Sequence, residues 1–445
     1  MAVARASDPR SLMLVDLGSR TVRALVAVAT DTGLHPRAAA SRPYTAGHDG
    51  VPVDRALARA QLHAVMHEAE QQAGVSVRRV IVGLGGTALG MVRSSGSLEL
   101  QMPVALRAAH LERALEAAAC IGLPPDREVL HVLPTHYRVD GARVSRPPLG
   151  MRAQRLVAEC AVITASRLAL DNLERITSDL DRELVDVAAE PLVTAGVLLG
   201  PDDRKRGALL LDVGADRIGA VLYRDHVLQA LVCLGVGAGH ITRDMAYALQ
   251  LDFAAAEELK HRFAVASQAA VTPDLETTLE SGGVRARLSQ TALARVVEPR
   301  LRELLGMVAE ELREARVLSP GDRVVLGGGG ARMRGIVEVA EDVFGLPARL
   351  AEEASAAGTA AIGDASATVL GLLDYASRCG AHAASRGPTW HGAVQRLRQV
   401  FGAGGARRDV GACSPARAVF EAAAHEGGHV PQRVGVDLEV GDVRV

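Results

Sequence analysis

Apolar residues recur along this chain at two spacings, and the places where one spacing gives way to the other mark its predicted elements. Short apolar runs at residues 12–15 and 22–29 flank the turn Asp16-Leu17-Gly18-Ser19-Arg20, a strand–turn–strand unit. A helical pattern covers 54–73; a buried strand at 79–84 and an alternating edge strand at 91–100 follow. The spacing predicts helices over 105–121, 168–180 and 191–199, with strands at 129–133, 137–139 and 156–163. Strands at 208–211, 218–223 and 227–234 form a meander around the turn Asp212-Val213-Gly214-Ala215-Asp216-Arg217. Helices at 243–249, 254–263 and 290–315 lead to a strand at 324–326 that runs into Gly327-Gly328-Gly329-Gly330. A further helix follows the glycines, and one at 365–375 closes the folded part.

Within this order lies a faint repeat. Leu-Val-Asp16-Leu-Gly18, followed by a second apolar strand, recurs as Leu-Leu-Asp212-Val-Gly214 with the same sequel, which points to a duplicated domain rather than a short-period solenoid. A length of 445 residues fits that division into two or more subdomains. A hydrophobic content of 48 % and a charged content of 23 % are those of a folded chain. The formal net charge of −2 gives no support to a nucleic-acid partner held by phosphate neutralisation. Cys120, Cys160, Cys233, Cys379 and Cys413 are odd in number and form no C-x-x-C pair, against a disulfide framework or a zinc site. The N-terminal residues carry no signal-peptide pattern, and no apolar run approaches the roughly 20 residues that span a bilayer, so the expectation is a reducing compartment and at most peripheral membrane contact.

A glycine turn between two strands brings backbone N–H groups close to a phosphate, because no Cβ blocks the approach. An Asp at the strand end can orient the waters of a Mg²⁺ ion. One Asp-x-Gly turn is often an ordinary hairpin. Two of them, with glycines 327–330 and Arg332, Met333 and Gly335 as a third element for base and ribose, predict a nucleotide clamp.

That order resembles the actin, sugar-kinase and chaperone ATPase superfamily. Within it, His131-Val-Leu-Pro-Thr-His-Tyr137, Pro148-Leu-Gly-Met151, Gly237-Ala-Gly-His-Ile-Thr-Arg-Asp244, Val297-Glu-Pro-Arg300 and Thr368-Val-Leu-Gly-Leu-Leu373 resemble the bacterial cell-division family FtsA, over residues 12 to 401. The resemblance implies an α/β, actin-like (ribonuclease-H-like) duplicated fold, two lobes around a nucleotide cleft, with an inserted α+β subdomain. It implies ATP and Mg²⁺ as cofactors. Asp16, Gly18, Ser19 and Arg20 fall in or beside the first phosphate motif, Asp212, Gly214 and Gly237 in or near the second, with Asp16 and Asp212 toward the metal. Glu257 and Lys260 match a helix contacting ribose and adenine, and Gly328, Gly329 and Met333 the adenosine motif. Glu190 matches the position that orients attacking water; an acid at a helix N-terminus is the other reading of it. The second motif departs from the family's Asp-x-Gly-Gly-Gly-Thr, lacking two glycines and the threonine hydroxyl, and Asp216 sets negative charge near phosphates. Arg20 stands one position before the usual lysine. These departures imply weak or absent ATPase activity.

Residues 389–401 place Trp390, Val394, Leu397 and Phe401 on one helical face flanked by Arg396 and Arg398, a short basic amphipathic helix that lies in the membrane interface or packs on a protein surface. The expected divisions are 1–90 and 162–205 for the first lobe, 91–161 for the insertion, 206–377 for the second lobe, 378–388 for a linker, 389–401 for the helix and 402–445 for a tail. By resemblance, Arg300 and Glu303 grip the C-terminal peptide of FtsZ, although such a pair also suits a solvated helix face. The insertion would meet other division proteins, and the chain would self-associate into filaments on the cytoplasmic face of the inner membrane at the division septum. Other readings on the same fold are a PilM-type pilus-assembly ATPase, which lacks the amphipathic helix, and a sugar or acetate kinase.

Overall fold

In the computed structural model, which describes residues 8–48, 51–281, 284–352 and 366–379, strand β1 (Ser11–Leu17) is buried at every position. An unbroken apolar run requires this, because both faces of its sheet are covered. The chain turns at Gly18 into β2 (Thr21–Thr30), and β3 (Gly33–Pro43) extends the sheet. A two-residue pair, β4 (Gly47–His48) and β5 (Val51–Pro52), precedes α1 (Arg55–Ala73). Asp54 accepts from the Leu57 N–H to start that helix, and Gly74 at φ 73° ends it. Strand β6 (Arg79–Leu84) then pairs parallel with β1.

Here the chain leaves the first sheet to build another. Strand β7 (Leu89–Ala105), helix α2 (Ala108–Ala119), β8 (Arg127–Val139), β9 (Ala142–Val144) and β10 (Arg152–Ser166) make an antiparallel sheet of order β7-β10-β8-β9 with α2 packed on it. A Cβ on Gly96 of β7 would strike the backbone of Ala114 and Ala118, so glycine is what lets α2 cross so closely. Two expectations are corrected in this subdomain. The helix predicted from residue 105 starts at Ala108, because β7 continues to Ala105 opposite Arg152. The strands predicted at 129–133 and 137–139 are one strand with Pro134 inside it. The register slips between Glu159 and Cys160, and the Thr135 hydroxyl donates to the Glu159 carbonyl at 2.9 Å, a bulge that accommodates the missing proline N–H.

Helix α3 (Arg167–Ser178) leads back to the first sheet as β11 (Glu183–Ala189), completing the order β11-β6-β1-β2-β3. Helices α4 (Glu190–Leu198) and α5 (Pro201–Arg206) carry the chain into the second lobe. That lobe contains β12 (Ala208–Val213), β13 (Ile218–Arg224), β14 (Val227–Leu234), α6 (Ala238–Leu249) and α7 (Phe253–Phe263). A hairpin, β15 (Glu276–Ser281) and β16 (Val284–Ser289), precedes α8 (Gln290–Glu314), β17 (Arg323–Gly327), α9 (Ile336–Phe344) and β18 (Ala348–Leu350). Its sheet runs β18-β17-β12-β13-β14, with the same two parallel and two antiparallel pairings as β11-β6-β1-β2-β3. The faint repeat is therefore a repeated sheet, with Asp16 and Asp212 at equivalent strand ends. Helix α6 begins at Ala238, five residues ahead of the predicted start, and α10 (Ala367–Arg378) returns to pack on α4 and the first sheet. The remaining linker residues, the amphipathic helix at 389–401 with Trp390, Val394, Leu397 and Phe401, and the tail 402–445 lie outside the described residues.

Contact between α10 and α4 depends on Gly371, whose added Cβ would meet the Val193 carbonyl. Gly371→Ala should lower unfolding stability by roughly 1–3 kcal/mol through overpacking, read as a lower urea midpoint. An unchanged midpoint would mean that the two helices do not approach this closely.

Candidate functional site

The two Asp-x-Gly turns lie at the ends of β1 and β12, and the same steric rule shapes both. A Cβ on Gly18 would sit 2.6 Å from the Thr21 carbonyl oxygen, and one on Gly214 would sit 2.9 Å from that of Arg217. The second turn is closed by the Gly214 N–H donating to the Arg217 carbonyl at 2.9 Å. Its outward carbonyls meet the start of α6: Ala238 N–H donates to Gly214 at 2.9 Å and Gly239 N–H to Ala215 at 2.6 Å. These bonds use N–H groups that a helix N-terminus leaves without partners. Gly237 is required by approach, since its Cβ would lie 2.6 Å from the Gly214 oxygen.

The glycine cluster reaches the same place. Gly328, at φ +83°, passes directly beside the Asp212 carboxylate, and a Cβ on Gly330 would lie 2.6 Å from the Val213 side chain. Around Gly329 there is open space among the described residues, and Met333 packs half-buried against the second lobe's core. The second turn thus lies against the glycine cluster, and Arg217 carries it across to the first.

Arg217 is the residue that sequence reasoning undervalued. Its Nη2 donates to both Glu190 oxygens, at 2.7 and 2.5 Å, and to the Leu17 carbonyl at 3.1 Å. A side chain from the second lobe is thereby bound to β1 and to the first residue of α4. The guanidinium and the Glu190 carboxyl are both 9 % exposed, and Gly85 gives them room, because a Cβ there would strike Glu190. A second bridge runs from Arg20 to Asp216 at 3.6 Å, with the Arg20 guanidinium 4.2 Å above the Phe253 ring. Arg243 reaches Asp216 from the other side at 3.3 Å. The negative charge expected from Asp216 is therefore flanked by two arginines. Asp16 accepts from Ser366 at 2.9 Å and from Arg23 at 3.5 Å.

Lys260 and Glu257 serve each other. The Lys260 ammonium donates to Glu257 at 2.7 Å, to Thr242 at 2.7 Å and to the Ala238 carbonyl at 3.2 Å, and the Thr242 hydroxyl also donates to Glu257. All three ammonium donors are matched by acceptors under the first turn of α6. Burial lowers the Lys260 pKa, and Glu257 opposes that shift. Arg300 and Glu303 stand away from this cluster on α8. Arg300 is paired with Asp244 of α6 at 2.5 Å as well as with Glu303 at 2.7 Å, so it also ties the two helices together.

Burial pushes Glu190 up to about 7, against the pull of Arg217 and with help from Asp16 and Asp212. Burial likewise pushes Asp212 up to about 6. Burial works against the Arg217 charge, but Glu190, Asp16 and Asp212 together overcome it and hold its pKa above the ordinary arginine value. Asp16 Oδ1, Ser19 Oγ and Arg217 Nη1 are among the buried polar atoms that lack partners among the described residues. Each such atom costs about 1–3 kcal/mol while unpaired. The two donors, Ser19 Oγ and Arg217 Nη1, suit phosphate oxygens. The Mg²⁺ implied between Asp16 and Asp212 does not fit these residues. The Arg217 guanidinium is already bonded to Glu190 with Asp16 and Asp212 in its field, so a divalent cation there would face a buried positive charge.

Comparison with known proteins agrees with this architecture. A family model described as "Cell division protein FtsA" matches residues 209–371, and one described as "SHS2 domain inserted in FTSA" matches residues 86–164. The chain is 30 % identical over 380 residues to the cell division protein FtsA of Pseudomonas aeruginosa, covering 84 % of this chain and 91 % of that one. Among solved structures, a PilM–PilN type IV pilus biogenesis complex aligns with TM-score 0.57 at 20 % identity, over 81 % of this chain and 97 % of that one. MreB5 of Spiroplasma citri bound to AMPPNP aligns with TM-score 0.50 at 14 % identity, over 82 % and 95 %. The fold is actin-like, with two related lobes and an inserted subdomain.

A raised Glu190 pKa has a measurable consequence. The group ordinarily titrates at 4.5 and here at about 7, so its contribution to stability is full below 4.5 and is lost as pH rises through about 7. Between about pH 5 and pH 7.5 the urea midpoint of the wild-type chain should fall relative to that of Glu190→Gln, which cannot ionise. Parallel profiles would contradict a raised pKa.

Proposed function

The chain belongs to the FtsA family of cell-division proteins, and from that premise we propose that it binds ATP in the cleft, polymerises on the membrane and tethers FtsZ filaments there. The observation that carries the nucleotide part is the meeting of the Gly18 turn, the Gly214 turn and glycines 327–330 between two duplicated sheets. Backbone that approaches this closely at three loops serves phosphate and base better than side chains would. Structural likeness to an AMPPNP-bound MreB5 accords with this reading.

Hydrolysis is slow or absent in this reading. Glu190 would have to orient a water, and both of its oxygens are engaged by Arg217; phosphoryl transfer depends on positioning above all. The subdomain between β7 and β10 serves contacts with other division proteins, and Arg300 with Glu303 lies where the FtsZ C-terminal peptide docks. The working division of the chain is two lobes at 1–90 with 162–205 and at 206–377, an insertion at 91–161, a linker at 378–388, a helix at 389–401 and a tail at 402–445. Attachment is peripheral, on the cytoplasmic face of the inner membrane at the septum, through Trp390, Val394, Leu397 and Phe401. No helix among the described residues is long and apolar enough to cross a membrane. A pilus-assembly role has only a likeness of fold behind it, at 20 % identity.

Liposome co-sedimentation of the full chain against Trp390→Glu, with and without ATP and FtsZ, tests the tether. One short helix binds weakly, so pelleting should rise when ATP promotes polymers that present many copies. FtsZ should pellet only with the wild-type chain. Failure of the wild-type chain to pellet under any condition would overturn the tethering role.

A further inference from the structure

Arg217 occupies a position where a small hydroxyl residue would leave the cleft open to a hydrated metal ion. In this chain the side chain there is long, cationic and nine-tenths buried. It is held by Leu17 and Glu190 of the opposite lobe and is electrostatically coupled to Asp16 and Asp212. Glu190 is bonded to this guanidinium, and Asp16 and Asp212 lie in its field at the strand ends, where a divalent cation would otherwise sit. A second cation there would face the guanidinium at close range in a medium of low effective dielectric, and it would have to displace the donors that satisfy Glu190. Only one face of the guanidinium fork is used by the protein: Nη2 makes all the bonds, and Nη1 has no partner among the described residues. Ser19, from the first turn, carries an unpartnered buried hydroxyl as well.

We propose that Arg217 is the built-in cation of this cleft, so that a nucleoside polyphosphate is held by Arg217 Nη1, Ser19 and the turn backbones without a divalent metal. The inference rests on the nucleotide reading above and deepens it. A guanidinium suits the task, since it keeps its charge when buried and pairs with phosphate oxygens through fixed N–H directions. Its single charge replaces the metal's two. The loss of one charge is offset by Arg20, Arg23 and Arg243 around the same turns, each already beside Asp16 or Asp216. The bridge that a metal–phosphate unit would make between lobes is made by the chain itself, through Arg217 to Glu190 and Arg20 to Asp216.

Isothermal titration of the full chain with ATP, in excess Mg²⁺ and in excess EDTA, decides the matter when run beside Arg217→Thr. The wild-type chain should bind ATP with affinities in the two buffers that agree within about threefold. Arg217→Thr should lose tenfold or more in EDTA and recover part of that loss in Mg²⁺. Because Arg217→Thr leaves Glu190 buried without its partner, the double variant Glu190→Gln/Arg217→Thr serves as the folded control and should show the same metal dependence. Wild-type binding that requires Mg²⁺ would overturn the inference and leave the nucleotide reading standing. Absence of wild-type binding in both buffers would overturn both. Unchanged EDTA binding by the double variant would show that Arg217 does not contact the phosphates, which also overturns it.

Discussion

One ion pair, Arg217 with Glu190, joins the two halves of this protein at the point where their strand ends meet. Both groups are almost fully removed from water, and removing one partner of such a pair typically costs about 3–5 kcal/mol. The pair stands at the first residue of α4 and at the end of the second turn, so it fixes the spacing between β1, β12 and the start of α4 together. Asp16 and Asp212, at equivalent ends of the repeated sheets, feel its field. The arrangement of the remaining cleft residues follows. Asp216 is left to Arg20 and Arg243, Asp16 to Arg23 and Ser366, and Lys260 to Glu257 and Thr242.

Most of the fold was legible because its strands are fully buried and its repeat is carried by residues that cannot be exchanged. Gly18 and Gly214 keep the same relation to a carbonyl three residues on, which is why the duplication survives in the sequence while the rest of the two lobes has diverged. Strand β6 and helix α1 were read nearly to the residue, one from an unbroken apolar run and the other from its helical spacing, whose ends the structure sets at the Asp54 cap and Gly74. Strand β3 and the β15–β16 hairpin escaped notice. The first buries mainly Leu34, Ala38 and Ala40, and alanine is a weak signal of a strand; the second is rich in threonine and arginine. The first turn of α6 was missed because it is anchored by backbone bonds to Gly214 and Ala215 rather than by an apolar stripe.

The site was legible in outline and not in detail. Glycines at three loops announced where backbone converges, since Gly18, Gly214, Gly328 and Gly330 each leave no room for a Cβ. The use of the charged residues was hidden, because pairing is decided by distance across the cleft and not along the chain. Arg217 could be seen to replace a threonine, but its partner Glu190 lies 27 residues away in sequence and on the other lobe. Arg300 and Glu303 carried the opposite ambiguity: a charged pair one turn apart on a helix turned out to include Asp244 from a neighbouring helix.

The pairing across the cleft is tested most directly by a double-mutant cycle on Glu190→Gln and Arg217→Gln, with unfolding free energies taken from urea titrations above the Glu190 pKa of about 7, where the carboxyl is ionised. Residues in direct contact within one hydrogen-bonded network show coupling of about 0.5–3 kcal/mol, and a buried charge-assisted pair belongs at the upper end of that span. A coupling energy of about 2 kcal/mol or more is the expected result. Additivity within about 0.3–0.5 kcal/mol would mean that the two side chains do not hold the lobes together.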